Sequence, residues 1–228
     1  MTDLLAQPLF GVTATIAAYA LGRATQRRFP AINTLVISCG LLIALLLLAK
    51  IPYASYKIGG DYIAFLLGPA TVALAVPLYK NARTIRAQLL PVLTAIFVGS
   101  LMGIVSIIAL VSLTHGSDLL LRSILAKSVT TPISIELARF IGGREELAAI
   151  STCLAGLTGA TFGVPLLKLL RIRHPLAMGA AMGTSCHGIG TARLVQESPL
   201  HTGTSALALA ACGIFTSLLF IPLRALLS

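Results

Sequence analysis

The sequence predicts an all-α polytopic membrane protein with about seven to eight transmembrane segments, some of them broken or re-entrant. Three observations carry that reading. Mean hydropathy is +0.94. Only 11% of the 228 residues are charged, where a soluble domain carries about 25%. The apolar residues gather into runs long enough to cross a hydrocarbon layer about 30 Å thick, where a spanning backbone must satisfy its own hydrogen bonds. The short alternating segments of a β-barrel are absent.

The formal net charge of +10 would suggest nucleic acid in a soluble chain. Here the basic residues lie in short loops between apolar runs: Arg23, Arg27 and Arg28; Lys80, Arg83 and Arg86; Arg171 and Arg173. That is the positive-inside pattern of a chain embedded in a lipid bilayer, and nucleic acid is not expected as a partner. Cys39, Cys153, Cys186 and Cys212 fall in apolar segments without metal-ligand spacing, so no metal or disulfide is expected. No basic n-region precedes the first apolar run, so no cleavable signal peptide is expected.

The chain reads as one transmembrane domain, residues 1–228. The first span covers roughly residues 9–21 and the second 31–49, and a polar loop follows at 50–61. The run 63–79 is interrupted by Gly68-Pro69, with Thr71 just inside the restarted half. A long span, 89–113, carries Gly99 and Gly103 at the GxxxG spacing that lets helices approach closely. Residues 119–141 form a second interruption, and 148–170 a span with Gly156, Gly159 and Gly163. Residues 176–195 hold a third interruption, and 205–226 the last span. Sliding the sequence by sixty positions aligns Thr71 with Thr131, Ala95 with Ala155, Gly99 with Gly159 and Gly103 with Gly163, the mark of an internal two-fold repeat. Loop charges favour a re-entrant 119–141. The basic loops then share the cytoplasmic side, and the loops near Asp61, Asp118 and Glu197 lie outside.

The stretch from Ala126 to Arg139 carries the chemistry most clearly. Pro132 lacks a backbone donor and disfavours helix before it. The sequence therefore predicts a new half-helix with Thr131 as N-cap and Pro132 as its first residue. Such an end offers free N–H groups and positive potential to a small anion, as in transporters with discontinuous helices. Thr130 and Thr131 flank the break. Lys127 is a counter-charge for a carboxylate ligand or a partner for Glu136. Glu136 could equally pair with Arg139, three residues on. In the third interruption Gly188 and Gly190 let backbone approach a ligand, beside Thr191. Arg193 could grip a carboxylate, or meet water at a helix end. His187 could relay protons, or pack as a hydrogen-bonded core residue. No nucleophile–base pair, Walker motif or dinucleotide fingerprint occurs, so neither an enzyme nor a cofactor is expected.

Three stretches together carry a family resemblance. Lys127-Ser-Val-Thr-Thr-Pro-Ile-Ser-Ile-Glu136 with Ile141-Gly-Gly143, Ser185-Cys-His-Gly-Ile-Gly-Thr-Ala-Arg193 and Leu67-Gly-Pro-Ala-Thr-Val-Ala-Leu-Ala-Val-Pro77 closely resemble the signatures of the LrgB/CidB family. The similarity covers nearly the whole chain. It implies a multi-pass protein of the bacterial cytoplasmic (inner) membrane, a homo-oligomeric assembly, and a small LrgA/CidA-type membrane partner. Two functions are implied. One is antiholin-like regulation of murein hydrolase export and autolysis. The other is transport: a plastid relative carries glycolate and glycerate, and some bacterial relatives are linked to pyruvate uptake. The three breaks with Lys127, Glu136 and Arg193 favour a carrier of small monocarboxylates working by alternating access on an ion gradient.

Overall fold

The computed structural model describes residues 7–29 and 33–227, without the side chains of Leu67, Thr71 and Leu227. The chain divides into two compact units, Met1–Ala73 and Leu74–Ser228. Every regular element among the described residues is helical. Four stretches are long and apolar enough to cross a membrane: Tyr53–Lys80, Leu89–Leu113, Glu145–Leu169 and Pro199–Leu226.

The first unit holds α1 (Pro8–Arg28), α2 (Thr34–Leu48), α3 (Tyr53–Phe65) and α4 (Leu67–Ala73). The N-cap of α2 is Asn33, whose side chain accepts from the Leu35 N–H at 2.8 Å, satisfying one of the helix's orphan donors. Helix α1 packs on α2 and α3, and the Thr15 and Tyr56 hydroxyls meet at 3.0 Å. Residues 53–61, expected as a loop, are already helical. The interruption expected at Gly68-Pro69 falls at Leu66. Pro69 has no N–H for the Phe65 carbonyl, and Leu66 N–H turns back to the Ile63 carbonyl at 3.0 Å.

The second unit continues with α5 (Ala75–Lys80), α6 (Ala82–Ala87), α7 (Leu89–Leu113), α8 (Asp118–Ile124), α9 (Thr131–Phe140) and α10 (Glu145–Thr158). A π-helical turn (Gly159–Gly163) leads into α11 (Val164–Leu169), and α12 (Pro175–Leu194) and α13 (Pro199–Leu227) complete it.

Helices α8 and α9 do not cross the unit; they form a re-entrant hairpin, called A. Its two ends lie together. Arg122 donates to the Ile141 carbonyl at 3.0 Å, and the Arg144 N–H donates to the Ser123 hydroxyl at 2.8 Å. Gly142, at φ +78°, reverses the chain after α9, and a Cβ on Gly143 would lie 2.7 Å from the Arg122 carbonyl carbon. The stretch 119–141 thus behaves as the charge argument expects.

Helix α12, expected to cross, is a second hairpin, B. At His187 the backbone takes φ +42° and ψ −135°. The limb 175–186 climbs alongside α13: Gly179 lies against His201 and Thr204, and Gly183 against Ser205 and Ala208. The limb 188–194 comes back. Thr191 reaches the same Ser205, hydroxyl to hydroxyl at 2.8 Å, and a Cβ on Gly190 would sit 3.1 Å from the Met182 carbonyl oxygen. At its base Lys168 donates to Glu197 at 2.8 Å. Glu197 therefore lies at the same end as Arg171 and Arg173, which corrects its expected place on the opposite side. The run 176–195 is long enough for a span, but the positive φ at His187 overrides that length.

The hairpins enter from opposite ends of the unit. The base of A lies with the C-terminal end of α13, where the Arg224 guanidinium sits 4.5 Å from the centre of the Phe140 ring. The base of B lies with the start of α7 and α13, since Gln88, His174, Leu176 and Leu200 line one cavity. The order span-then-hairpin thus occurs twice, as α7 with A and as α10–α11 with B. The glycines aligned at sixty positions do one job in both spans. Gly99 meets Thr184 and Gly103 meets Ser128; Gly159 meets Cys186 and Gly163 meets Met182. The Thr71–Thr131 match has no such counterpart, because α4 contains no hairpin.

Each of these glycines seats a hairpin of its own chain. A side chain at Gly159 would overlap the Cys186 sulfur, and core overpacking costs about 1–3 kcal/mol or more. Gly159→Leu is expected to lower the thermal midpoint of the purified protein by several degrees. Gly40→Leu, where a Cβ meets nothing within 4 Å, is expected to leave it unchanged. Differential scanning fluorimetry compares the two.

Candidate functional site at the hairpin tips

The two tips meet halfway along the neighbouring helices. On α7 they rest against Gly103 (Ser128, tip A) and Gly99 (Thr184, near tip B), one turn apart about the middle of Leu89–Leu113. On α13 the Cys212 thiol donates to the Thr184 carbonyl at 3.5 Å. A Cβ on the adjacent Gly213 would be 3.0 Å from Ile133 Cδ1. Both residues are central in Pro199–Leu227.

Tip A is the turn 125–130. Leu125, Ala126 and Val129 are buried and hold it in the core. Lys127 is half-buried, and its ammonium donates to the Ser128 hydroxyl at 3.3 Å. The Cys186 thiol of tip B lies within electrostatic range of it. No described carboxylate pairs with it: Asp61, Asp118, Glu136, Glu145, Glu146 and Glu197 are bonded to other cations. Helix α9 starts one residue earlier than expected, with Thr130 as N-cap, Thr131 first and Pro132 second. The Thr130 side chain makes no capping bond, and Pro132 has no donor. The N–H groups of Thr131 and Ile133 therefore belong to the orphan donors of the first turn, beside an ammonium. Two neutral donors and a cation are what a carboxylate needs.

Tip B turns on His187. Its ring Nε2 lies 2.9 Å from the Thr152 carbonyl. A carbonyl only accepts, so Nε2 carries the proton and Nδ1 is the free nitrogen of the neutral ring. The Thr191 hydroxyl donates to the His187 carbonyl at 2.8 Å, and Ser205 then donates to Thr191. A non-glycine residue in this backbone region costs about 1–3 kcal/mol; these bonds hold it there. Thr191 is fully buried and saturated. Gly188 has open space where a Cβ would be, whereas Gly190 is packed against Cys186. Two hydroxyls near tip B, Thr152 Oγ1 and Thr184 Oγ1, are buried without a hydrogen-bond partner, as is Ser134 Oγ on α9.

Of the expected site residues, Lys127, Thr130, Thr131 and Pro132 lie at or beside tip A, and His187 and Gly188 at tip B. Gly190 and Thr191 lie just below, as packing. Glu136 and Arg193 lie elsewhere. Glu136 is exposed and bonds Arg139 at 2.9 Å, and Arg139 also grips Glu145 at 2.7 Å. Arg193 sits near the base of hairpin B, 3.4 Å from Glu197. The Thr71 side chain lies outside the described residues. Ser128, Thr184 and Cys186 also belong to the site. Two of them adjoin expected residues in sequence; Thr184 is found only through the reversal at His187. Among the described residues no group of metal-ligating side chains gathers, and none of the four cysteines forms a disulfide.

Apolar helices enclosing two opposed re-entrant hairpins, with one cation where they meet, define an α-helical, multi-pass membrane protein. The chain belongs to the LrgB-like family, whose pattern it matches over residues 15–226. It is 36% identical over 205 residues to the uncharacterised Bacillus subtilis protein YxaC, covering 89% of each chain. It is also 34% identical over 207 residues to an uncharacterised Haemophilus influenzae protein, covering 90% of each. No solved structure matches it.

The base of hairpin B is clasped by charge. The ammonium of Lys168 donates to Glu197, and Arg193 and His201 add positive potential. These hold the Glu197 carboxyl below the usual carboxylate range. Its contribution to stability is therefore present above the ordinary carboxylate pKa and lost as pH falls through the lowered folded value. Glu197→Gln is expected to remove about 0.5–1 kcal/mol at neutral pH and nothing in acid, measured by thermal unfolding between pH 3 and 7.

Proposed function

We propose that the protein is a carrier of small monocarboxylates of the glycolate, glycerate or pyruvate kind, working by alternating access on an ion gradient. The observation that supports this best is Lys127: a half-buried ammonium at the meeting point of two hairpin tips, without a carboxylate partner among the described residues. A charge at that depth is expensive unless paired. A monoanion that binds and leaves would supply the pair intermittently.

In this reading the substrate carboxylate lies on the Thr131 and Ile133 N–H groups and the Lys127 ammonium. The unpartnered Thr184 hydroxyl and the open backbone at Gly188 receive its other oxygens. One positive charge and few donors suit a ligand with one carboxylate. The twice-used span-then-hairpin order, inverted between the two ends, supplies two gates of similar build, as inverted repeats do in other carriers. Hairpin A would open toward the Asp118 end and hairpin B toward the basic end. The positive-inside rule makes the basic end cytoplasmic, in a bacterial cytoplasmic membrane. His187 Nδ1, free beside the tip, is the group to take a coupled proton. A small LrgA-type membrane protein is the expected partner, and a homo-oligomer the expected assembly.

Uptake of labelled glycolate, glycerate and pyruvate into proteoliposomes tests the reading. The wild type is expected to take up at least one of them saturably, driven by an imposed pH gradient. Lys127→Met is expected to abolish uptake while keeping the thermal midpoint within a few degrees. His187→Gln is expected to keep exchange but lose the pH drive. Full uptake by Lys127→Met would remove the site. No uptake, with or without an LrgA-type partner, would favour antiholin-like regulation of autolysis instead.

A further inference from the structure

One cavity lies far from the tips, at the basic end of the second unit. Its volume is about 560 Å³, and Arg83, Thr84, Gln88, His174, Leu176 and Leu200 line it. The polar side chains come from α6, from the start of α7 and from the residue before α12. The apolar ones come from the first turns of α12 and α13. The limb 175–186 of α12, about 18 Å long, separates the cavity from His187. It is therefore a different place from the candidate carboxylate site.

Two observations say what it holds. The first is charge balance. Lys80, Arg83, Arg86, Arg171 and Arg173 crowd this end, and every described carboxylate is paired with some other cation. The second is the shape of the lining. Helix α6 is short, and its buried Ile85 (2% exposed) pins it to the core. That fixes Arg83 at the rim, with donors on one wall and leucines on another. The volume equals roughly twenty waters, more than an inorganic anion fills, and Leu176 and Leu200 give such an ion nothing. A headgroup that brings glycerol and the start of an acyl chain uses both walls. Basic pockets between helices on the cytoplasmic side suit such ligands.

We propose that this cavity binds the phosphodiester headgroup of an anionic phospholipid, with Arg83 and Gln88 donating to the phosphate and Leu176 and Leu200 covering the glycerol and upper chain.

The test uses the full chain in neutral detergent, with native mass spectrometry and thermal unfolding. The probes are phosphatidylglycerol, phosphatidylcholine and inorganic phosphate. The wild type is expected to retain one phosphatidylglycerol and to gain several degrees in midpoint, and to respond to neither other probe. Arg83→Ala and Gln88→Leu, both at exposed positions, are expected to weaken that adduct tenfold or more, while Arg173→Ala, at the same end but outside the lining, changes it less than threefold. The proposal is overturned if Arg83→Ala binds like wild type, or if Arg173→Ala costs as much as Arg83→Ala, which would indicate a general basic surface. It is also overturned if inorganic phosphate gives the same stabilisation, which would make the ligand a free anion.

Discussion

The hairpin tips are organised around a charge that no described carboxylate neutralises. Lys127 sits on a turn held by Leu125, Ala126 and Val129, and hydroxyl and thiol neighbours are its company. Moving an ammonium out of water costs several kcal/mol even after relaxation. A carboxylate on a neighbouring helix would have offset that cost permanently and closed the site. The six described carboxylates are bonded instead to Lys57, Arg122, Arg139, Arg144 and Lys168. The charge distribution therefore leaves Lys127 without a described carboxylate, and in the proposed reading the anion that joins it is small enough to lie across the first turn of α9.

Meeting that demand requires two hairpins to reach the same depth, and hairpins are wide. The glycines of α7 and of the α10–α11 span solve this. Side chains at Gly99, Gly103, Gly156 or Gly163 would lie 2.5–3.5 Å from Thr184, Ser128, His187 or Met182, at or inside the limit of ordinary packing. The π-helical turn at Gly159–Gly163 falls where hairpin B docks, a common place for such irregularities. Small residues in apolar helices are usually credited to association between chains. In this unit they serve close packing within one chain. The reversal at His187 is held by the same contacts, since its ring lies against Gly156 and bonds Thr152 on that span.

Much of this was legible in the sequence. Composition identified the helical class, Pro132 and Gly142-Gly143 marked hairpin A, and the sixty-residue offset picked out the glycines that do equivalent work. Hairpin B was legible only in part. Gly188 and Gly190 signalled an interruption, but nothing local distinguishes a kink from a reversal; that is decided by α13, whose Gly179-facing and Thr191-facing surfaces overlap. Arg193 and Glu136 attract attention because charges in apolar sequence are rare. Each is four or fewer residues from a partner of opposite sign, and that proximity fixed them as ion pairs near the hairpin bases. The sequence could count those pairs but could not say which cation would be left over.

Lys127 and Arg83 differ in their surroundings. Lys127 lies between the tips of two re-entrant elements, each anchored at its base by a few polar bonds: Arg122 and Ser123 for A, Lys168 and Glu197 for B. Such bases can yield at a cost of about 1 kcal/mol per bond, so an anion at the tips can come and go. Arg83 lies on a short helix whose Ile85 is fixed in the core, at the base of hairpin B and far from its tip. In the proposed reading a transient anion at the tips and a resident lipid at the basic end answer different cations, and only the first lies between the two hairpins.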